Sequence, residues 1–202
     1  MHFFHYLLIA VIITGCQSQA ERPVIIAPAK PEIFFEKMIS QAIEYIDSTD
    51  MESAYCFLFD VGRPSFENRF LVYNLLDNTI ISQRKAAHGR CNQDWLEGRK
   101  YSNTPGSGCT SLGKYRIGTS YYGRFGLAYK LYGLDTTNNN ALNRFVVLHA
   151  HDCVPEPSSP ILQLCQSDGC PMVAPGFMKE LHKYLQKSRK SVLLWIYDST
   201  QN

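Results

Sequence analysis

Ser167-Asp168-Gly169-Cys170-Pro171-Met172 places a cysteine inside a tight turn, and residues 144–151 predict the strand that leads to it. The run from Val146 to Leu148 is apolar and β-branched, which is typical of a buried strand. His149 and His151 end this strand two residues apart, so both imidazoles share a face and can reach one space. A thiol in a glycine-containing turn that can leave a backbone amide free, beside a strand-end imidazole, is the arrangement of a cysteine acyl-transfer site.

These residues also have simpler interpretations. A single cysteine beside glycine and proline is often structural or half of a disulfide, and a strand-end histidine is often a structural hydrogen-bonding residue. The two histidines together with Cys153, Cys165 and Cys170 also suggest zinc. However, the chain contains no Cys-x-x-Cys and the loop spacing fits none of the usual zinc patterns, so we predict no metal site.

Nine short motifs along residues 56–197 resemble, in family order, those of the L,D-transpeptidase catalytic domain (YkuD-type), and in particular its murein L,D-transpeptidase branch. The motifs are FDVGRPS (59–65), AHGR (87–90), YSNTPGS (101–107), TSLGKY (110–115), YGRFG (122–126), LYGLD (131–135), NNALNR (139–144), VLH (147–149) and SDGCP (167–171). The resemblance implies a mainly β catalytic domain, a β-sandwich or open barrel with an N-terminal helix and a C-terminal helix before the last strand.

The resemblance also implies roles for individual residues. Cys170 is the expected nucleophile, and His149, which matches the histidine of the family's His-Gly pair, is the expected base. Backbone amides at Gly169 and Cys170 are expected to hold the oxyanion. A thiolate–imidazolium pair is expected to lower the thiol pKa well below about 8.5. The remaining residues of the turn are Ser167 and Asp168, and further candidates for supporting the site or contacting substrate are His151, His88, Arg144 and Tyr122. No cofactor is implied.

Three positions depart from the family pattern. Ala150 stands where a glycine usually follows the base, Asp168 where the wider family favours histidine, and Met172 where an arginine is common.

The resemblance implies a peptidoglycan L,D-transpeptidase-like enzyme that acts on stem peptides. Because of the three departures, two alternatives stay open. One is a hydrolase, either an L,D-carboxypeptidase or an amidase that releases a protein from murein. The other is a lipid-anchored murein-binding protein with a degenerate site.

The N-terminus has the pattern of an export signal. Residues 1–15 contain an apolar core at 7–13, far shorter than the ~20 residues that span a bilayer. Residues 13–16 resemble a bacterial lipobox, which predicts a lipoprotein signal peptide over 1–15 and lipidation of Cys16; an ordinary signal peptide that happens to contain a cysteine is the alternative. Gln17 follows, which by family analogy favours the outer membrane of a Gram-negative bacterium. We expect a periplasm-facing lipoprotein.

The rest of the chain divides into a tether and one domain. Residues 16–31 are polar and then rich in proline and alanine, which indicates a flexible lipid-anchored tether. Residues 32–202 form the expected catalytic domain, beginning with an amphipathic helix over 32–48. Short strands are predicted at 55–59, 70–75, 79–82, 114–118 and 128–131, followed by a helix over 175–186 and a central final strand over 191–197.

The seven cysteines need a role in an exported chain. With Cys16 lipidated and Cys170 as nucleophile, five remain, so at least one is free. Cys91 with Cys109, and Cys153 with Cys165, each bracket a loop and can form disulfides, which leaves Cys56 as a buried thiol in an apolar strand. Sequence alone does not fix this connectivity.

Charge restricts the partners. Lysine and arginine total 20 against 18 acidic residues, giving a formal net charge of +2. No basic stripe occurs, so a nucleic-acid partner is not expected. The expected partners are peptidoglycan stem peptides and the membrane that holds the lipid anchor. The sequence does not indicate an oligomeric state.

Overall fold

The computed structural model describes residues 30–157 and 164–201. Within them the chain forms two helices and one nine-stranded sheet. The elements are α1 (Lys30–Asp47), β1 (Tyr55–Asp60), β2 (Phe70–Asn74), β3 (Thr79–Arg84), β4 (Ala86–Ala87), β5 (Gly113–Gly123), β6 (Gly126–Gly133), β7 (Val147–Ala150), β8 (Met172–Val173), α2 (Pro175–Lys187) and β9 (Leu193–Tyr197).

The sheet curls almost into a barrel. Its strand order is β3-β2-β1-β9-β5-β6-β7-β8-β4. The two ends of this order, β3 and β4, are consecutive in the chain with only Lys85 between them. Because one residue spans only a few ångströms, the sheet has to bring its two ends close together. The predicted mainly β, open-barrel class with one helix at the N-terminus and one before the last strand is confirmed.

Strand β1 shows how the core is divided. All six of its residues are buried. Phe57 and Phe59 belong to the core inside the curled sheet, whereas Cys56 and Leu58 belong to a second cluster under α1. Since successive side chains of a strand point to opposite faces, one strand serves both cores.

The final strand lies near the middle of the sheet, as predicted. β9 pairs in parallel with β1 and antiparallel with β5. It is two residues shorter than the predicted 191–197, because Ser191 makes only an isolated bridge to Met51. β5 and β6 are longer than predicted and form one hairpin that carries Arg124 and Phe125 at its turn.

The N-terminal helix begins at Lys30, two residues before the predicted start. The predicted signal peptide over 1–15, the lipidation site Cys16 and the tether up to residue 29 lie outside the described residues. No helix among residues 30–157 and 164–201 is both long and apolar enough to cross a bilayer.

The cysteine pairing is confirmed. Disulfides join Cys91 to Cys109 and Cys153 to Cys165. Cys56 is a buried free thiol, and burial raises its pKa to about 12. Cys170 is therefore the one half-buried free thiol within the part of the chain that the structure describes.

Candidate active site

Strands β7 and β8 bring the cysteine to the histidine. They pair in parallel, with His149 opposite Met172. The turn of residues 167–170, which precedes β8, therefore lies beside β7. The backbone N–H of Val147 donates a hydrogen bond to Cys170 Sγ at 3.4 Å, and the thiol itself donates to the carbonyl oxygen of Phe145 at 3.8 Å. The thiol is thus held against the start of β7 by one donor and one acceptor.

The turn around the cysteine is fixed by its own serine. Ser167 Oγ donates to the carbonyl oxygen of Cys170 at 2.6 Å and accepts from the amide of Gly169 at 3.2 Å. Gly169 has φ +115°, and a Cβ there would lie 2.8 Å from the carbonyl oxygen of Cys109, so this position requires glycine.

The two backbone amides expected to hold the oxyanion differ in their hydrogen bonding. The amide of Gly169 is occupied by Ser167 Oγ, because the turn closes on that hydroxyl. The amide of Cys170 makes no hydrogen bond to any of the described residues. It is the backbone donor beside the thiol that a developing oxyanion can use.

Residues 88–90 and Thr110 hold the turn of residues 167–170 in place through hydrogen bonds. The amide of Ser167 donates to the carbonyl oxygen of His88 at 2.8 Å, and the amide of Arg90 donates to that of Ser167 at 2.8 Å. Thr110 Oγ1 connects the two segments: it accepts from the amide of Gly89 at 2.8 Å and donates to the carbonyl oxygen of Gly169 at 3.5 Å. Thr110 is buried and was not singled out from the sequence, although it lies in the TSLGKY motif.

The tautomer of His149 leaves Nε2 unprotonated, so that this nitrogen can accept a proton. Its Nδ1 lies 2.9 Å from the carbonyl oxygen of Ala150. Since a carbonyl only accepts, Nδ1 carries the proton and Nε2 is left as an acceptor. The ring of Phe125 stacks on the imidazole at 4.4 Å between centroids. The residue is 2% exposed, and burial lowers the pKa of the imidazole; the hydrogen bond to Ala150 opposes this shift and the neighbouring His151 adds to it.

The expected ion pair is corrected. Burial raises the pKa of the Cys170 thiol above its ordinary value, and the Asp168 carboxylate adds to this, while the Val147 amide and the Arg144 guanidinium oppose it. Because burial disfavours the charged form of both groups, it acts against the expected thiolate–imidazolium pair.

A cavity of about 620 Å³ opens over these groups. His149, His151 and Cys170 all line it, so the structure places the two imidazoles and the thiol in one space. His151 is exposed, and its Nδ1 accepts from the amide of Cys153 at 3.1 Å. One ligand atom from each of His151, Cys153 and Cys165 lies within 4.8 Å of the others. Those two sulfurs are joined in a disulfide, so they are not thiolate ligands.

Charged side chains of both signs line the cavity, and its carboxylates are Asp94 and Asp168. Arg90 and Arg124 both line it. Arg90 Nε pairs with Asp168 at 2.9 Å, with the carboxylate side chain 74% exposed. An ion pair this open to water is worth little, so Arg90 can exchange its partner for a substrate carboxylate at small cost.

Arg144 lies directly behind the turn of residues 167–170. Its guanidinium donates to Ser111 Oγ at 2.9 Å and to the carbonyl oxygen of Cys109. It also comes within 3.3 Å of the position that a Cβ of Gly169 would occupy. The positive charge therefore favours the thiolate, although it does not outweigh burial in the resting site.

Two other predicted site residues lie outside the cavity lining. His88 is buried, with Nδ1 3.0 Å from the guanidinium of Arg69, and burial together with Arg69 lowers its pKa to about 3. Its carbonyl oxygen accepts a hydrogen bond from the amide of Ser167, which connects His88 to the turn. Tyr122 is 82% exposed and does not line the cavity.

A family model and several solved structures are similar to this chain. A family model described as the L,D-transpeptidase catalytic domain matches residues 17–197. Among solved structures, the chain is similar to a mutant of the helical cell shape determining protein Pgp2 from Campylobacter jejuni, at 14% identity and TM-score 0.47 over 85% of this chain and 57% of that chain.

Two further structures match at similar levels. An L,D-transpeptidase from Xylanimonas cellulosilytica is 16% identical with TM-score 0.40, over 78% of this chain and 69% of that chain. An Enterococcus faecium L,D-transpeptidase mutant is 14% identical with TM-score 0.43, over 73% of this chain and 50% of that chain. No curated protein sequence matches the chain. This chain thus spans little more than half the length of the Campylobacter protein.

Proposed function

Because this chain belongs to the L,D-transpeptidase catalytic domain family, we propose that it is a peptidoglycan L,D-transpeptidase in which Cys170 is the nucleophile. The family membership supports a peptidoglycan-modifying role. One observation carries the rest of the proposal. Cys170, a half-buried free thiol, lines the same cavity as His149, a histidine whose tautomer is set by a backbone carbonyl. A nucleophile and an oriented base are the two parts that acyl transfer needs.

The acylation step begins from the neutral pair. His149 Nε2 takes the proton from the thiol as the sulfur attacks the carbonyl carbon of the third stem residue. The oxyanion that forms accepts a hydrogen bond from the amide of Cys170. The carbon–nitrogen bond to the terminal D-Ala then breaks, and His149 returns its proton to the leaving amine. The product is a thioester on Cys170.

Deacylation reverses these roles. An acceptor amine enters from the side of His149, loses a proton to Nε2 and attacks the thioester carbonyl. The carbon–sulfur bond breaks, and Cys170 recovers its proton. Water in place of the amine gives hydrolysis and a tripeptide. The Val147 N–H and the Arg144 guanidinium favour the sulfur anion in both steps.

The substitution after the base is compatible with this chemistry. Ala150 has no role for its side chain in the bond to His149, because the imidazole is held by the carbonyl oxygen of residue 150. Any residue provides that carbonyl. The departure from His-Gly therefore leaves the orientation of the base intact.

The test uses the purified domain and a defined disaccharide tetrapeptide, with products identified by mass. Released D-Ala together with a cross-linked dimer supports transpeptidation. Tripeptide alone supports the hydrolase alternative. Unchanged substrate in the presence of bound peptide would contradict the enzyme and favour a murein-binding protein.

We also propose that the mature protein begins at a lipidated Cys16 and faces the periplasm from the outer membrane. The lipobox-like residues 13–16 and the absence of Asp after Cys16 support this. Two or more acyl chains make a stable anchor. Cys16→Ser is expected to release the protein from membranes or to block processing. Unchanged fractionation, with no lipid on the wild-type protein, would contradict the anchor.

A further inference from the structure

Phe125 lies at the tip of the β5–β6 hairpin, next to the strand that carries the proposed base. The pairing of β5 with β6 continues to the last residues of both strands, so Arg124 and Phe125 alone form the loop. Gly126 closes this short loop with φ +72°, a left-handed conformation that glycine adopts without strain. On its other edge, β6 pairs with β7, with Ala128 opposite His149. The hairpin therefore holds Phe125 close to the strand position of His149.

Core packing does not account for Phe125. Its residue is 43% exposed, and among the described residues it belongs to neither hydrophobic core. Its ring instead stacks on the imidazole of His149, at 4.4 Å between centroids and 22° between the ring planes. The ring of His151 is farther away, at 6.2 Å, and is tilted by 57°. The stacked partner of Phe125 is thus the proposed base.

A second exposed phenylalanine, Phe145, offers a comparison. It lines a smaller cavity of about 260 Å³, which neither His149 nor Cys170 lines, whereas Phe125 lines the larger cavity with both. Val147 also lines the smaller cavity and is two residues from His149 in β7, so the two cavities share one face of the sheet. The amide of Val147 donates to Cys170 Sγ, which places the thiol between the two cavities.

The imidazole needs two restraints before Nε2 has a fixed direction. The contact of Nδ1 with the carbonyl oxygen of Ala150, at 2.9 Å, sets the tautomer and the position of one ring atom. The χ2 torsion of histidine has a broad energy profile, so one hydrogen bond leaves the ring plane free to turn. The nearly parallel ring of Phe125 supplies the second restraint, since stacked aromatic rings resist being tilted apart.

We infer that Phe125 is a positioning residue, which holds the imidazole plane of His149 so that Nε2 can take the proton of the Cys170 thiol. The inference rests on the proposed acyl transfer for the reaction itself. A misdirected base slows proton transfer but leaves the contacts that bind the peptide in place. The ring of Phe125 is therefore expected to affect the rate of acylation and not the affinity for substrate.

The kinetic test uses full-length protein and the disaccharide tetrapeptide in single-turnover experiments, whose concentration dependence gives the acylation rate and the Kd. Phe125→Leu keeps an apolar side chain but removes the flat ring, and we expect the acylation rate to fall about tenfold with Kd unchanged within about twofold. Phe125→Tyr keeps the ring and should retain the rate within about threefold. Tyr122→Leu is the matched control, because it removes an exposed ring of the same hairpin that does not line the cavity.

A second measurement needs no turnover and separates this inference from the proposed function. Nitrogen-15 NMR of full-length protein carrying Cys170→Ala reports the tautomer of His149, whose signal is assigned by its absence in His149→Ala. With Phe125 present we expect a single tautomer protonated at Nδ1. With Phe125→Leu we expect the second tautomer to appear, because the ring can turn away from the Ala150 carbonyl.

Three results would overturn the inference: an unchanged tautomer in Phe125→Leu, equal loss of rate in Phe125→Leu and Phe125→Tyr, or a comparable loss in Tyr122→Leu. A loss explained by a higher Kd would also overturn it, since Phe125 would then bind substrate. A changed tautomer in a protein without turnover would contradict the proposed function but not the restraint on the imidazole. Turnover together with an unchanged tautomer in Phe125→Leu would do the reverse.

Discussion

The two cavities on either side of Cys170 differ in chemistry although they share one sheet face. The larger cavity is lined by two imidazoles, two guanidinium groups and two carboxylates, whereas the smaller one, lined by Tyr121, Lys130, Leu142, Phe145, Val146 and Val147, is apolar with one ammonium. Their connecting strand, β7, is only four residues long. The groups of the proposed proton transfer, Cys170 and His149, line the larger cavity, and neither lines the smaller one. Experiments that affect one side alone can test this division.

The largest expected effect is loss of the base in the larger cavity. His149→Ala is expected to reduce acylation by about 10³-fold or more, since it removes both proton acceptor and proton donor. His151→Ala is expected to retain activity within about tenfold, because its ring is exposed and accepts a hydrogen bond from the Cys153 amide. Single-turnover acylation rates measure both. The opposite ranking of the two variants would show that the base is His151.

A smaller effect on kcat is expected from Thr110, whose hydroxyl is hydrogen-bonded to Gly169 in the turn that carries Cys170. Thr110→Val keeps the shape of the side chain but leaves the Gly89 amide and the Gly169 carbonyl without their shared hydroxyl. A buried group left unsatisfied costs about 1–3 kcal/mol, and we expect kcat to fall about tenfold with little change in KM. Thr110→Ser restores the hydroxyl and should recover most of kcat. Equal losses in the two variants would exclude positioning through this hydroxyl.

The pH dependence of thiol reactivity distinguishes a neutral site from an ion pair. Because the Cys170 pKa is raised and the His149 pKa is lowered, the thiolate fraction should increase with pH throughout the range 6–9. The rate of alkylation by iodoacetamide should follow it, by close to tenfold per pH unit. Cys170→Ala is the control, since the other described thiol, Cys56, is buried. A rate that is already constant from pH 6 upward would indicate a resting thiolate.

Much of the fold and part of the site follow from local sequence patterns. The apolar run before His149, the paired loop cysteines and the helix before the last strand all depend on residues near one another in the chain. The structure confirms these features. The predicted strand over 144–151 is wrong at both ends, since β7 covers only Val147–Ala150 and His151 follows it, yet both histidines line one cavity as expected.

The features that sequence did not predict depend on distant contacts. The hydroxyl of Thr110 matters because the fold brings it to Gly89 and Gly169. The raised thiol pKa results from burial, which the chemical identity of neighbouring residues does not reveal. The left-handed backbone of Phe145 contradicts local preference, so only tertiary packing can impose it.

The most direct test of the account is the position of a covalent adduct. The family resemblance implies that a carbapenem acylates the nucleophile, and the structure offers Cys170 as the half-buried free thiol among the described residues. Intact mass and peptide mapping after carbapenem treatment should show one adduct per chain, on the peptide that contains Cys170. Cys170→Ala should lose both the adduct and the activity. An adduct on another residue, or full activity in Cys170→Ala, would contradict the proposed mechanism.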